Sequence, residues 1–166
     1  MATATLNRRA LLFGRDAVDP PALRPPWALD GPQFAARCTR CDACVEACPG
    51  QVLVRDRDGR PRFDPAQGEC TFCGDCTRAC GSGALDGALS PPWELRAQVA
   101  AGCLSAQGIV CASCREACPE HAIRVAPGAR GPAAIDPGRC TGCGACVGIC
   151  PTGAIVLARA PQEVPA

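Results

Sequence analysis

The sequence has very few of the large side chains from which proteins usually build a core. Among its 166 residues there are four Phe, two Trp, one Met and no Tyr. Small domains that cannot bury enough apolar surface depend on metals or disulfides for their stability. The sequence therefore predicts an interior that is held together by something other than aromatic packing.

Catalytic residue patterns are also missing. His121 is the only histidine, and no Ser/His/Asp set, phosphate-binding glycine loop or carboxylate pair can be assembled around it. A lone histidine among so many thiols is a poor candidate for a metal ligand. We expect His121 to be a surface residue, and we expect the chain not to be an enzyme.

Charge and hydropathy exclude two further classes of function. The net charge is +1, which does not suit binding to nucleic acid or to an anionic membrane. No apolar stretch approaches transmembrane length. Arg8 and Arg9 resemble the start of a twin-arginine export signal, but the apolar run after them ends at Gly14, well short of the roughly 7–15 residues of a secretory core. We therefore expect a cytoplasmic protein.

Cysteine is the residue that the chain has in excess, with 16 copies. The reducing cytoplasm favours metal ligation over disulfides. Residues 140–151 read CTGCGACVGICP, and C-x₂-C-x₂-C-x₃-C-P is the ligand run of ferredoxin 4Fe-4S clusters. Structural zinc, the alternative, takes four tetrahedral ligands and has no use for a tight third cysteine. We predict iron-sulfur clusters.

Sixteen thiolates at four per cluster make four 4Fe-4S clusters with no thiol left over. In the second run Gly81 stands where the other runs have proline, which loosens the backbone without removing a ligand. In the third run the first ligand position holds Gly108, so Cys103 must reach across a seven-residue loop. The alternative is a free Cys103 beside a three-iron cluster or an open iron site. Because four clusters with four thiolates each use all sixteen cysteines, we expect Cys103 to be a ligand.

In ferredoxins with two clusters, the fourth cysteine of each run binds the cluster of the other run. This crossing predicts four ligand sets, which we name sites I to IV. Site I is Cys38, Cys41, Cys44 and Cys80; site II is Cys70, Cys73, Cys76 and Cys48; site III is Cys103, Cys111, Cys114 and Cys150; site IV is Cys140, Cys143, Cys146 and Cys118.

An internal repeat divides the chain into two lobes. PPWAL at residues 25–29 and PPWEL at residues 91–95 stand at nearly the same distance before the first cysteine of each half. We predict an α+β fold of two tandem bacterial-ferredoxin-like lobes, each with two clusters, short strands and short helices. The predicted segments are a basic, proline-rich arm (1–33), a first lobe (34–89), a connecting segment (90–102), a second lobe (103–158) and a tail (159–166).

Local patterns predict some of the elements. Residues 51–55 have strand composition, Asp58-Gly59 is a hairpin turn signal, and residues 60–63 can return as the partner strand. Leu95 and Val99 lie four residues apart, which predicts a short helix over residues 93–101.

These features together resemble the NapF family, ferredoxin-type proteins accessory to periplasmic nitrate reductase. The resemblance rests on Arg8-Arg9, RPPW at residues 24–27, CTRCDAC at 38–44, the irregular third run and CTGCGAC at 140–146. It implies a cytoplasmic four-cluster protein that binds the precursor of the reductase catalytic subunit, NapA. The N-terminal arm is a candidate contact, with Arg8, Arg9 and Trp27 as candidate partner-binding residues.

Two functions compete on this evidence. The first is assistance in the maturation of NapA before export, either by loading an iron-sulfur cluster into NapA or by reducing it. The second is electron transfer between redox enzymes by a polyferredoxin. A scaffold with purely structural clusters is a weaker third reading, because four redox centres exceed what two small lobes need for folding.

Overall fold

The computed structural model describes residues 22–128 and 131–159, so Arg8 and Arg9 lie outside the described residues. The fold is α+β with short elements. In chain order these are α1 Gly31–Arg37, α2 Ala43–Glu46, β1 Leu53–Arg55, β2 Pro61–Phe63, α3 Asp75–Arg78, β3 Leu95–Val99, a 3₁₀ helix Ser105–Gln107, α4 Ser113–Glu116, β4 Ile123–Arg124, β5 Ala134–Ile135, α5 Ala145–Gly148 and β6 Ile155–Arg159. Within the described ranges, no helix is long and apolar enough to cross a membrane.

Each lobe contains one antiparallel hairpin. In the first lobe β1 pairs with β2, with Leu53 opposite Phe63, and Gly59 takes the left-handed conformation that the turn requires, at φ 76°. In the second lobe β4 pairs with β5, with Ile123 opposite Ile135. The predicted first hairpin is confirmed, and its counterpart occupies the same place in the repeat.

The predicted helix over residues 93–101 is wrong. This segment forms β3, which pairs antiparallel with β6 from Leu95 opposite Arg159 to Val99 opposite Ile155. A spacing of four residues places two side chains on one face of a strand as well as on one face of a helix. Leu95 and Ala97 are both buried, so the period of two is the correct one.

The part of the N-terminal arm that the structure describes packs firmly on the first lobe. The backbone N–H of Phe63 donates to the carbonyl of Leu23 at 2.7 Å, and Pro25 and Pro26 are fully buried. Arg24 pairs with Asp56 at 2.9 Å. Residues 22–30 are therefore part of the folded structure and do not behave as a loose tail.

Two small cores lie under the hairpins. The first consists of Phe34, Cys44, Val52, Leu53, Phe63, Cys76, Ala84 and Leu85. The second consists of Ala97, Cys114, Ile123, Ala133, Cys146 and Ile155. Trp93 packs against the first core although it precedes the second lobe, and Leu157 contacts both cores. The PPWEL segment at residues 91–95 thus joins the lobes.

The lobes approach so closely at Gly144 that a side chain does not fit. A Cβ there would lie 2.9 Å from Cζ of Phe63 and from Cβ of Pro65. Phe63 is fully buried and cannot move aside. Gly144 also has a φ of 92°, which a residue with a Cβ adopts only at a cost.

We expect Gly144→Ala to destabilise the junction between the lobes. The left-handed backbone alone costs about 1–2 kcal/mol, and the overpacking adds about 1–3 kcal/mol. Gly153→Ala is the matched control, because Gly153 has a φ of 61° but open space around its Cβ. The half-life of the cluster absorbance on anaerobic heating should fall further in Gly144→Ala; equal half-lives would contradict the close contact.

Candidate metal centres

Three of the cysteine runs share one backbone pattern. The residues before and after the second cysteine are left-handed in the first, second and fourth runs: Arg40 and Asp42, Phe72 and Gly74, Gly142 and Gly144. A one-turn helix then begins at once and places the third cysteine in the interior, where Cys44, Cys76 and Cys146 are 8%, 7% and 7% exposed. This shared backbone gives the three runs the same arrangement of their first three cysteines.

All four runs end in the same turn. The third residue after the last cysteine is left-handed, and its N–H donates to the carbonyl of that cysteine; these residues are Gln51, Gly83, His121 and Gly153. The next N–H then faces the sulfur, as from Ala122 to Cys118 and from Ala154 to Cys150, both at 3.3 Å. The turn forms after Cys80 as after the other three, so Gly81 leaves it intact.

The structure brings the predicted crossed sets together. One cavity is lined by all four cysteines of site II, a second by those of site IV and a third by those of site III. At site I, burial raises the pKa of Cys44 to about 11, helped by the neighbouring thiols of Cys80, Cys38 and Cys41. Cys80 therefore lies with the first run.

The donor chemistry of these sites fits 4Fe-4S clusters. In the described part of the chain, no three His, Cys, Asp or Glu side chains surround a single point closely enough for one metal ion, whereas sulfurs spread around a cavity suit a polynuclear centre. Burial is the first cause that raises the pKa of Cys76 and Cys146 to about 12. Free thiols there are neutral, and a bound metal centre would stabilise the thiolates. A bound cluster would supply one-electron redox chemistry.

Cys103 occupies the place of the missing ligand in the third run. It lines the same cavity as Cys111, Cys114 and Cys150. Its pKa is lowered, because the backbone N–H groups of Ala133, Ala106 and Ser105 donate to its sulfur. The loop after it forms the 3₁₀ helix and ends in the exposed Val110. This geometry favours ligation by Cys103 over a free thiol.

Sites II and IV meet where the lobes touch. The backbone N–H of Cys70 donates to the carbonyl of Cys143 at 2.8 Å, and the indole N–H of Trp93 donates to the carbonyl of Thr141 at 2.8 Å. Burial raises the pKa of Cys70, followed by the thiols of Cys48 and Cys73, and the Cys143 thiol adds a smaller contribution from the other lobe. We call sites II and IV the inner sites, and sites I and III the outer sites.

Two other residues singled out in the sequence have clear positions. Trp27 packs edge-on against Phe72, with 6.3 Å between ring centroids, and lines the site II cavity. Its side chain therefore supports the fold, and a role in partner binding stays a prediction. His121 is exposed, as expected.

Hydroxyl groups beside cysteine sulfurs were missed in the sequence, and two of them lie beside the last cysteine of a run. Ser82 Oγ lies 3.6 Å from Cys80 Sγ, and Thr152 Oγ1 lies 3.7 Å from Cys150 Sγ. Both follow the last cysteine of a run by two residues. A search for C-x-[ST] at the ends of the runs would have found them.

Comparison with known families confirms the predicted clusters. Residues 37–85 and residues 109–154 each match a family described as a 4Fe-4S dicluster domain. The chain therefore contains two tandem dicluster domains, which bind four 4Fe-4S clusters in all.

The relatives extend over most of the chain. The ferredoxin-type protein NapF of Escherichia coli K12 is 35% identical over 151 residues, which cover 90% of this chain and 92% of that protein. The chain belongs to the NapF family of ferredoxin-type proteins. NapF of Haemophilus influenzae is 39% identical over 81% of this chain and 78% of its own length. The methylamine utilization ferredoxin-type protein MauM of Methylophilus methylotrophus is 33% identical over 96% of this chain and 80% of its own length. Membership in this family confirms the predicted resemblance.

We expect Cys48→Ala to damage site II and to leave site I intact, because the crossed cysteine serves the other run. Anaerobic alkylation of the reconstituted protein should then modify Cys70, Cys73 and Cys76, while the thiols of site I stay protected. Cys80→Ala is the matched control and should give the reverse pattern. Modification of the first run in Cys48→Ala would contradict the crossing.

We expect Cys103→Ala to lower the iron content by between about one and about four iron atoms per chain, because site III loses a ligand. Iron analysis and EPR of the reconstituted variant measure this loss. In the parent protein, Cys103 should resist alkylation while the clusters are intact. An unchanged iron content, with Cys103 freely alkylated in the parent, would identify it as a free thiol.

Proposed function

We propose that this protein is a cytoplasmic accessory factor that binds the precursor of the nitrate reductase catalytic subunit NapA before export and assists its maturation. Membership in the NapF family is the observation that carries the proposal. The chain itself is a ferredoxin-type iron-sulfur protein, and its role is electron transfer or iron-sulfur handling.

Of the two forms of assistance, the geometry favours reduction over the donation of clusters. Each proposed site takes ligands from two runs, so that each cluster would link two stretches of the chain and its release would remove one of the links that hold a lobe together. The ligand loops of the inner sites are also hydrogen-bonded to each other across the lobes. Such sites suit resident redox centres, and their contact suits exchange of electrons between the lobes.

A general electron carrier is the second candidate. It is favoured by the MauM proteins, which are ferredoxin-type proteins of methylamine utilization and match this chain almost as well as NapF does. A fold shared between two such systems can serve more than one redox partner. Under this reading the protein needs no affinity for a reductase precursor.

An experiment with both partners tests the proposal. The protein is reconstituted with ⁵⁷Fe, reduced, freed of excess reductant and mixed anaerobically with the NapA precursor, in separate samples with and without the precursor's own cluster. We expect a complex, an EPR signal of reduced cluster on cluster-loaded NapA, and ⁵⁷Fe that stays on this protein. Transfer of ⁵⁷Fe to the cluster-free precursor would instead favour donation. With neither binding nor transfer, the maturation proposal fails and the carrier takes its place.

Paired substitutions then test the N-terminal contact. We expect Arg8→Ala with Arg9→Ala to weaken binding by about fivefold, since two charge contacts at a protein surface together contribute about 1 kcal/mol. The matched control is Arg124→Ala with Arg139→Ala, which removes two exposed arginines from the second lobe. Equal affinities of the two double variants would remove Arg8 and Arg9 from the interface.

A further inference from the structure

The hydroxyls of Ser82 and Thr152 occupy equivalent positions in the two lobes. Each lies two residues after the last cysteine of its run, within 3.6 Å of Cys80 Sγ and 3.7 Å of Cys150 Sγ respectively. In the crossed arrangement Cys80 completes site I and Cys150 completes site III. Both hydroxyls therefore serve outer sites.

The inner sites have no hydroxyl at this position. The residues two after Cys48 and Cys118 are Gly50 and Glu120. Other hydroxyls do approach ligands elsewhere: Ser113 Oγ lies 3.9 Å from Cys111 Sγ at site III, and the Thr141 side chain hydrogen-bonds to Cys143 at site IV. The outer sites differ in having a hydroxyl beside the sulfur of the cysteine that comes from the other run.

The turn that carries these hydroxyls does not need them. After Cys80 and Cys150 the turn is closed by the backbone N–H groups of Gly83 and Gly153, at 3.3 and 3.1 Å from the cysteine carbonyls. The same turn forms after Cys48, where the N–H of Gln51 donates at 3.0 Å and no hydroxyl is present. In the structure, each hydroxyl has the sulfur as its partner.

The direction of these hydrogen bonds follows from the chemistry of ligation. A thiolate bound to iron has no proton, so the hydroxyl must be the donor. Adding one electron to a 4Fe-4S cluster increases the negative charge on its sulfurs, and a hydrogen bond to that charge stabilises the reduced form more than the oxidised form. Donors around the sulfurs thereby raise the reduction potential.

We propose that Ser82 and Thr152 are tuning residues, whose hydroxyls raise the reduction potentials of the clusters at sites I and III by donating to Cys80 and Cys150. The two lobes then share one device at their outer sites. The proposal depends on the crossed ligand sets and not on the identity of the partner. Its test is therefore independent of the proposed function.

The test is an EPR-monitored redox titration of the reconstituted full-length protein, without any partner. We expect Ser82→Ala to lower one of the four midpoint potentials, Thr152→Val to lower another, and the double variant to lower both. Thr152→Ser keeps the hydroxyl and should restore the parent value. Thr77→Val is the matched control, because the Thr77 hydroxyl is adjacent to a ligand but donates to the carbonyl of Gly74 at 2.8 Å; it should shift none of the four.

Several outcomes would overturn the proposal. Unchanged midpoints in both single variants would mean that the hydroxyls do not act on the clusters. A uniform shift of all four midpoints, or an equal shift in Thr77→Val, would indicate a general structural change. Loss of iron in both Ser82→Ala and Thr152→Val would assign the hydroxyls a purely structural role. If only one variant loses iron, the other decides the question alone.

Discussion

The structure depends on one constraint in particular, the crossed ligation that we propose, in which the last cysteine of each run binds the cluster of the other run. Both cores include cysteines, with only a few branched or aromatic residues around them. Neither core would be large enough to hold a domain of this size by apolar burial alone. Because each proposed crossed site takes ligands from two separate stretches of chain, cluster binding there would close a lobe in the way that a metal or disulfide closes other small domains.

The parts of the fold that could be predicted from the sequence are those with short-range signals. The spacing of the cysteines, the Asp58-Gly59 turn and the strand composition of residues 51–55 each act within a few residues. Strand β3 could not be assigned in this way, since its partner β6 lies about 60 residues further along the chain. In addition, the four-residue spacing of Leu95 and Val99 is compatible with a helix as well as with a strand. The contact between the lobes at Gly144 could not be predicted either, because a glycine within a cysteine run does not indicate that residues of the other lobe pack against it.

The duplication is inexact, and the difference is what joins the lobes. The first PPW segment leads into α1, while the second leads into β3. The first makes only a single bridge, between Ala28 and Leu85, whereas β3 forms a ladder of five residue pairs with β6. Trp93, at the start of this second segment, packs against Phe63 of the first lobe with 5.0 Å between ring centroids. One copy of the repeated segment has thus become the connection between the two domains.

In the turns after the four runs, the fold requires a particular backbone conformation at one residue and accepts different side chains at another. A left-handed third residue is present in all of them, whether it is Gln51, His121 or a glycine, so the backbone geometry is required even where the side chain makes it costly. The second residue varies between glycine, serine, glutamate and threonine without changing that geometry. A position that folding leaves free, and that lies beside a ligand sulfur, is where the chain can alter the electronic properties of one cluster without disturbing the ligands of the others.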